Sequence, residues 1–407
     1  MIFKIAWRNI WRNKRRSAIV LMSIIVGLVA EILLDGLTNG MISQMLYNQI
    51  NLNVAHIQIH KKGFNANKKV SEVLPEYLKV ESILKNLEGL THISPRVFTT
   101  GMINGKNNSV GVMIYGVDPL QEGNVSIIED TIESGTFLKN KSDSAMPIVI
   151  GQKLSEKLSV KTGDKVSLLS TAENGKINSV EFTVEGIFKS PSSTYDKSAV
   201  YTTIPAARKF LHLGNNIHEI AIIASNFKDT EKIQKEISAS LGEKYEVLTY
   251  REILPLLVYQ LDIYEQLMLF MNLIVDVALI FLIINTMLMA VFERVREIGI
   301  LMAIGMKSRK IYSMIVVEAF ILGLFGGFIG LAVGLAIHVP LSYTGINLGL
   351  FSEGLESFGV GAMIYPTISI ETTMETVLLM PLVAIIAALY PAYRATKLEP
   401  IESINYV

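Results

Sequence analysis

The sequence contains no cysteine, and charged residues are scarce in it. Without cysteine, no disulfide, thiol nucleophile or zinc–thiolate site can form. Lysine and arginine number 37, aspartate and glutamate also 37, and the zero net charge argues against a nucleic-acid-binding protein. Charged residues make up 18% of the chain and hydrophobic residues 50%. Soluble domains usually contain about 25% charged residues, so this composition indicates a membrane protein.

Catalytic motifs are also missing. No G-x-x-x-x-G-K-[ST] phosphate loop occurs, so we expect the chain not to hydrolyse ATP itself. There is no G-x-S-x-G elbow and no H-E-x-x-H helix, so no catalytic residue is predicted. His56 and His60 share a face of a predicted strand, but no third ligand accompanies them, and no metal site is predicted.

Four segments are long and apolar enough to cross a membrane. A hydrocarbon core of about 30 Å requires roughly 20 helical residues. The segments run from Ala18 to Leu37, Leu267 to Phe292, Ile311 to Val339 and Ile370 to Tyr390. The sequence therefore predicts an α-helical membrane protein with four transmembrane helices.

Lysine and arginine around these segments predict the orientation, because they concentrate on the cytoplasmic side. They precede the first span (Lys4, Arg8, Arg12, Lys14, Arg15, Arg16), separate the second from the third (Arg294, Arg296, Lys307, Arg309, Lys310) and follow the fourth (Arg394, Lys397). The loop from Pro340 to Ser369 contains none. Both termini are predicted to be cytoplasmic, and the large domain between the first two spans extracytoplasmic.

The remaining segments complete the domain organisation. At the N-terminus, Trp7 and Trp11 share a helix face beside basic residues, which is typical of a helix lying against lipid headgroups. Alternating strand-like and helical patterns between the first two spans predict an α+β domain. The predicted boundaries are 1–16 interfacial helix, 17–42 first span and stalk, 43–262 α+β domain with a β-rich insertion at about 145–190, 263–292 stalk and second span, 293–310 cytoplasmic helix, 311–339 third span, 340–369 outer loop, 370–393 fourth span, and 394–407 tail.

Three segments carry a family signature. The first, ERVREIGILMAIGM, follows the second span; its candidate contact residues are Glu293, Arg294, Arg296, Glu297, Ile298, Gly299, Leu301, Ala303 and Gly305. A short cationic helix with exposed Ile298, Ile300, Leu301 and Ile304 would suit a groove in a partner protein. The second segment, from Glu318 to Gly334, contains a glycine ridge, and the third, from Tyr390 to Glu402, reads YPAYRATKLEPIE.

The glycine segment predicts two features of the third span. Gly326, Gly330 and Gly334 are four residues apart and form a ridge that lets another helix approach closely. Glu318 lies about two turns inside the span, where an unpaired carboxylate costs roughly 2.5–3.5 kcal/mol near the bilayer centre. We therefore expect Glu318 to form a structural ion pair, with Arg294, Arg296 and Lys310 as candidate partners.

Together these segments resemble the MacB/LolC/LolE/FtsX permeases of ABC transporters, the type VII exporters. The resemblance covers essentially the whole chain and is greatest to the lipoprotein-releasing LolC/LolE branch. It implies that residues 293–310 form a coupling helix on a separate ATPase, although Met302 stands where many relatives carry a basic residue. The external domain would correspond to the family's Porter and Sabre subdomains.

The resemblance also implies partners and a location. Two copies of the ATPase would bind ATP and Mg, and a second permease, identical or related, would complete the complex. A periplasmic chaperone is a further candidate partner, and no cofactor is expected in this chain. The expected location is the bacterial inner membrane, with the large domain in the periplasm.

The function expected from the resemblance is release of lipoproteins or other lipid-anchored cargo from the outer leaflet. MacB-like export of periplasmic peptides, antibiotics or toxins is one alternative, and FtsX-like signalling to a cell-wall hydrolase is another. Glu31, Asp35 and Asp276 are candidates for an acidic cleft between the first two spans, since Glu31 and Asp276 fall roughly 20 Å from the cytoplasmic edge. The alternative is that the helices protrude and leave these acids in water.

Overall fold

The fold is known from a computed structural model that describes residues 2–12, 14–106, 108–139 and 146–397, without the side chains of Arg16 and Glu265. The end of the third signature segment and most of the predicted tail, residues 398–407, lie outside this range. The chain divides into two compact units. The helical unit comprises residues 1–43, 261–347 and 363–407, and the sheet unit comprises residues 44–260 and 348–362.

The helices in chain order are α1 Ile2–Arg12, α2 Lys14–Gln49, α3 Phe64–Asn67, α4 Tyr77–Leu84, α5 Pro119–Glu122, α6 Gln152–Leu158, α7 Ser193–Asp196, α8 Ile204–Leu211, α9 Thr230–Leu241, α10 Tyr250–Ile253, α11 Pro255–Glu293, α12 Val295–Ala303, α13 Ser308–Thr344, α14 Ser352–Ser357 and α15 Ile370–Thr396. The strands are β1 Ile57–Lys61, β2 Leu90–Asn104, β3 Ser109–Val117, β4 Ile132–Gly135, β5 Pro147–Gly151, β6 Lys165–Thr171, β7 Ile177–Phe188, β8 Ala199–Thr203, β9 Glu219–Ala224, β10 Tyr245–Thr249, β11 Ile346–Asn347 and β12 Met363–Ile364.

Four helices among the described residues are long and apolar enough to span a membrane. They are α2 with the turn that follows it (Ser17–Val54), α11, α13 and α15. Helices suit this environment because they satisfy every backbone hydrogen bond within the segment. The predicted four spans are therefore confirmed as helices of sufficient length. Their shared core is formed by apolar residues such as Ile24 and Leu28 of α2, Ile283 of α11 and Ala387 of α15.

One ten-stranded sheet organises the sheet unit. Its strand order is β10-β1-β9-β2-β3-β8-β5-β7-β4, and β6 pairs with β2 and β7. Most neighbours are antiparallel, but β3 pairs with β8 and β5 with β7 in parallel. The segment predicted as a β-rich insertion contributes β5, β6 and β7. Its strands thus also pair with β2 and β8 outside that segment.

Several element boundaries differ from the sequence prediction. The first helix, predicted over residues 1–16, ends at Arg12, and α2 begins at Lys14. Helix α13 continues past Pro340 to Thr344, so the loop predicted to begin at residue 340 begins at Gly345. Gly345 has φ +71° and its N–H bonds to Leu341 O at 2.9 Å, which ends the helix. The predicted 293–310 helix is divided: Glu293 ends α11, α12 covers Val295–Ala303, and α13 begins at Ser308 after the turn at Gly305.

Part of the predicted outer loop is packed into the sheet unit. Val360 is fully buried, and Asn48 Nδ2 donates a hydrogen bond to Gly359 O at 2.9 Å. Helix α14 lies against α7, and at Gly359 an added Cβ would lie 3.9 Å from the Ser192 Cβ. Residues 348–362 therefore belong to the sheet unit rather than forming an independent loop.

A buried ionic network joins side chains of β1, β2, β9 and α5. Arg96 on β2 is 1% exposed and donates to Glu122 Oε1 at 2.6 Å and Oε2 at 2.9 Å. Its Nη1 also lies 3.3 Å from Glu219 Oε1, and Glu219 Oε2 lies 3.3 Å from His60 Nε2. Burial disfavours the guanidinium charge, but the Glu122 and Glu219 carboxylates outweigh burial and raise the Arg96 pKa.

Candidate functional site

The signature segment after the second span forms α12 and the turns on either side of it. Arg294 separates α11 from α12 with φ −107° and ψ 11°, outside helical geometry. At the other end, Gly305 has φ +92°, a left-handed conformation that favours glycine. The Met306 N–H bonds back to Leu301 O at 2.9 Å, which closes the C-terminus of the helix.

The prediction that α12 has an exposed apolar face is correct in part. Ile300 and Ile304 are 48% and 74% exposed, and Arg296, Glu297 and Ala303 are exposed as well. Ile298, however, is 3% exposed and packs into the core of the membrane helices. The prediction that Ile298 is exposed is therefore wrong. The Ile298 side chain faces the protein's own membrane helices instead of a partner protein.

The remaining predicted contact residues of this segment fall into three groups. Glu293 and Gly305 are exposed, Leu301 is half-buried, and Gly299 is buried. Arg294 is 7% exposed, so its side chain is not available at the surface. Contact between these residues and an ATPase stays a prediction.

Glu318 is paired with Arg294 in the structure. Arg294 Nη1 lies 3.3 Å from Glu318 Oε2, and Glu318 is 2% exposed. A second Arg294 nitrogen, Nη2, donates to the main-chain oxygen of Asn9 at 3.1 Å. The guanidinium therefore joins three helices, α1, α12 and α13, because it presents several donors in a rigid plane.

The glycine ridge of α13 faces α2. A Cβ added at Gly326 would lie 2.7 Å from Ile24, one at Gly330 2.9 Å from Leu28, and one at Gly334 2.7 Å from Ile32. Gly323 was not singled out by its spacing. A Cβ there would lie 2.8 Å from both the Ala384 Cβ and the Pro381 Cα of α15. Glycines on two faces of α13 thus permit close packing against two different helices.

Polar residues lie along the interface between α2 and α11, which we call the seam. An added Cβ at Gly27 would meet Leu279, and Asn272 Nδ2 lies 3.3 Å from Asp35 Oδ2. These two contacts define an antiparallel register, in which Glu31 comes opposite Asp276. Glu31 is 2% exposed, and neither of its carboxylate oxygens has a hydrogen-bond partner among the described residues. The expectation that the helices leave Glu31 in water is therefore wrong for this residue.

An apolar groove continues the same seam. It has a volume of about 560 Å³ and is lined by Ala18, Ile19, Met22, Ser23, Val26, Gly27, Leu279 and Leu282. Ile19, Met22 and Val26 are each more than half exposed. The seam thus combines an apolar groove with a buried carboxylate one turn further along α2. The sequence suggested the acids but gave no sign of the groove, which depends on how the two helices pack.

No cluster of three or more metal-ligating side chains occurs in the part of the chain that the structure describes. His56 Nδ1 instead accepts a hydrogen bond from the Ala224 N–H at 3.0 Å, and His60 Nε2 contacts Glu219. Burial lowers the His56 pKa, which favours the neutral ring that accepts this bond.

Comparison with known proteins places these features in a family. Residues 17–240 match the MacB-like periplasmic core domain, and residues 269–400 match the FtsX-like permease C-terminal domain. The chain belongs to the MacB/LolC/FtsX-like family of ABC-transporter permeases. This confirms the resemblance inferred from the signature segments.

Relatives match along almost the whole chain. An uncharacterized ABC transporter permease of Methanocaldococcus jannaschii is 26% identical, covering 99% of this chain and 97% of its own. The lipoprotein-releasing system transmembrane protein LolC of Neisseria meningitidis is 25% identical, covering 97% and 96%. The macrolide export ATP-binding/permease protein MacB of Bdellovibrio bacteriovorus is 24% identical, and the match covers 97% of this chain but 60% of that relative.

Proposed function

We propose that this permease couples ATP hydrolysis by a separate ATPase subunit to release of lipoproteins or other lipid-anchored cargo from the outer leaflet of the inner membrane. The observation that carries the proposal is the exposed apolar edge of α12, formed by Ile300 and Ile304. This edge lies in the family's signature segment, in a chain that contains no phosphate loop of its own. An apolar helix edge of this kind suits a groove in a partner protein.

Movement at α12 would pass to the sheet unit along helices α2 and α11. Each of these helices contains residues of both units. In the proposed orientation both chain termini and α12 are cytoplasmic, and the sheet unit is periplasmic. A second permease, identical or related, and two ATPase copies would complete the complex.

The seam between α2 and α11 is the proposed cargo cleft. In the proposed orientation the cluster of Glu31, Asp35 and Asp276 lies in the outer-leaflet half of the seam and would contact a cationic group on the cargo. The groove at Met22 and Val26 lies nearer the cytoplasmic edge and is not assigned to the cargo. LolC supports lipoprotein cargo because its match extends over 96% of its own length. MacB-like relatives are as similar in sequence, and export of a soluble peptide or antibiotic is therefore the outcome that would replace this proposal.

The experiment has two parts. First, Ile300→Asp with Ile304→Asp should abolish co-purification of the ATPase, whereas Ile177→Asp, at a position 76% exposed on the sheet unit, should not. Second, Glu31→Ala with Asp276→Ala should reduce cargo release from proteoliposomes while ATPase binding persists. Normal ATPase binding by the α12 variant would contradict the coupling role, and wild-type release by the seam variant would contradict the cleft.

A further inference from the structure

We propose that the N-terminal helix α1 takes part in coupling. It stabilises the break in the helix at Arg294, between α11 and α12, so that displacement of α12 reaches α13. This inference rests on the proposed function of α12. Its basis is that one residue, Arg294, forms the break and is fixed by two other helices. The interfacial role expected for α1 does not require any of these contacts.

The break is a mechanical weak point. Arg294 leaves helical geometry, so force applied to α12 would bend the chain there instead of moving the spans. The Arg294 side chain opposes such bending because it is buried and donates both to Glu318 on α13 and to the Asn9 carbonyl on α1. Lysine could not reproduce this arrangement, since its ammonium lacks the planar fork.

Helix α1 is attached to the junction at further points. Arg12 forms an ion pair and hydrogen bond with Glu297 on α12. Asn9 Nδ2 lies 3.6 Å from the Met314 sulfur, and the Trp7 ring is 5.6 Å from that of Phe325. Helix α1 therefore contacts the coupling helix and the third span simultaneously.

Packing alone does not hold α12 against α1. A cavity of about 310 Å³ lies among α1, α11, α12 and α13, with Ile5, Met287, Ile298 and Leu301 in its walls. Ile298 also packs into the apolar core of the membrane helices, and Val295 is buried. Two polar contacts connect this region to α1, that of Arg12 with Glu297 and that of Arg294 with the Asn9 carbonyl. The Arg12–Glu297 pair is half exposed and contributes little to stability, which favours a positioning role.

The test uses the absence of native cysteine. Arg12→Cys with Glu297→Cys removes the link, and a short flexible bismaleimide restores it covalently. In the reconstituted complex with its ATPase, we expect the unlinked variant to release severalfold less cargo per ATP hydrolysed. Because Glu297 is itself a candidate ATPase contact, the comparison is made within the same double variant before and after crosslinking. Crosslinking should restore the ratio to near the wild-type value. The single-cysteine variants treated with the same reagent are the controls, and they should show no restoration.

Arg12→Gln provides a second test that does not depend on assembly of the double-cysteine variant. Arg12→Gln removes the charge conservatively and should lower the same ratio, whereas Arg8→Gln, at another exposed arginine of α1, should not. Wild-type cargo release per ATP in unlinked Arg12→Cys/Glu297→Cys or in Arg12→Gln would overturn the role of α1. A crosslinked double variant whose cargo release per ATP stays below the wild-type value would also overturn it. Failure of the wild-type chain to bind an ATPase would instead overturn the proposed function.

Discussion

Replacing Gly323 by alanine tests the packing of the membrane helices most sharply. The new Cβ would lie 2.8 Å from the Pro381 Cα and the Ala384 Cβ, and 3.1 Å from Met380 O. None of these atoms can move by side-chain rotation, so α13 and α15 must separate. At Gly330 the contact at 2.9 Å is the Leu28 Cδ2, the end of a flexible side chain. The two substitutions are chemically identical but differ in what they meet.

The expected magnitudes follow from two opposing effects. Alanine gains about 1 kcal/mol over glycine inside a helix, and overpacking a closely packed site costs about 1–3 kcal/mol. For Gly323→Ala the rigid neighbours place the cost at the upper end, giving a net loss of about 1–2 kcal/mol. For Gly330→Ala rotation of Leu28 lowers the cost, and we expect a net change of about zero.

Thermal unfolding of the detergent-solubilised protein, followed by circular dichroism, measures this difference. Gly354→Ala is the matched control, because it lies in α14 and no atom comes within 4 Å of its added Cβ. The predicted order of midpoints is Gly354→Ala at or above wild type, Gly330→Ala near wild type, and Gly323→Ala below it. A Gly323→Ala protein as stable as the Gly354→Ala control would refute the close approach of α13 and α15.

Two further predictions concern the sheet unit. Glu122→Gln should lower the free energy of unfolding by about 3 kcal/mol, because it leaves the buried Arg96 charge undercompensated. Thermal unfolding measures this loss against Glu129→Gln, a control at an exposed position. Equal unfolding midpoints for the two variants would contradict the prediction. Burial, outweighing hydrogen bonds from Ser190, raises the Asp196 pKa from 3.8 to about 6. The folded state therefore holds the proton more tightly, and this stabilisation, worth up to roughly 3 kcal/mol, is present below pH 3.8 and lost as pH rises through about 6. Asp196→Asn should remove that part of the pH dependence in urea unfolding at pH 4–7, and a wild-type slope in the variant would argue against it.

Features that depend on local composition were predictable from the sequence. The four spans follow from apolar length alone. The Glu318–Arg294 pair follows from the cost of a lone carboxylate at membrane depth, which limited its partners to nearby basic residues. The ridge at Gly330 follows from spacing, although the sequence did not indicate that α2 is the helix that meets it.

Features that depend on long-range packing were not predictable. The sequence of α12 shows that Ile298 is apolar, but it does not state whether this side chain meets a partner protein or the protein's own core. Arg96, Glu122 and Glu219 come together from distant parts of the chain, and a charged residue in a strand gives no sign that it is buried. Docking of Val360 into the sheet unit likewise depends on contacts with remote elements.

ATP-driven cargo release is the measurement that decides whether this permease couples ATP hydrolysis to lipoprotein release. Proteoliposomes would contain this permease, its ATPase and a fluorescent triacylated lipoprotein, and the assay would measure lipoprotein leaving the membrane after ATP addition. We expect release that requires ATP hydrolysis and is lost when Ile300 and Ile304 are replaced by Asp. Release that continues in that variant, or with a hydrolysis-deficient ATPase, would contradict it.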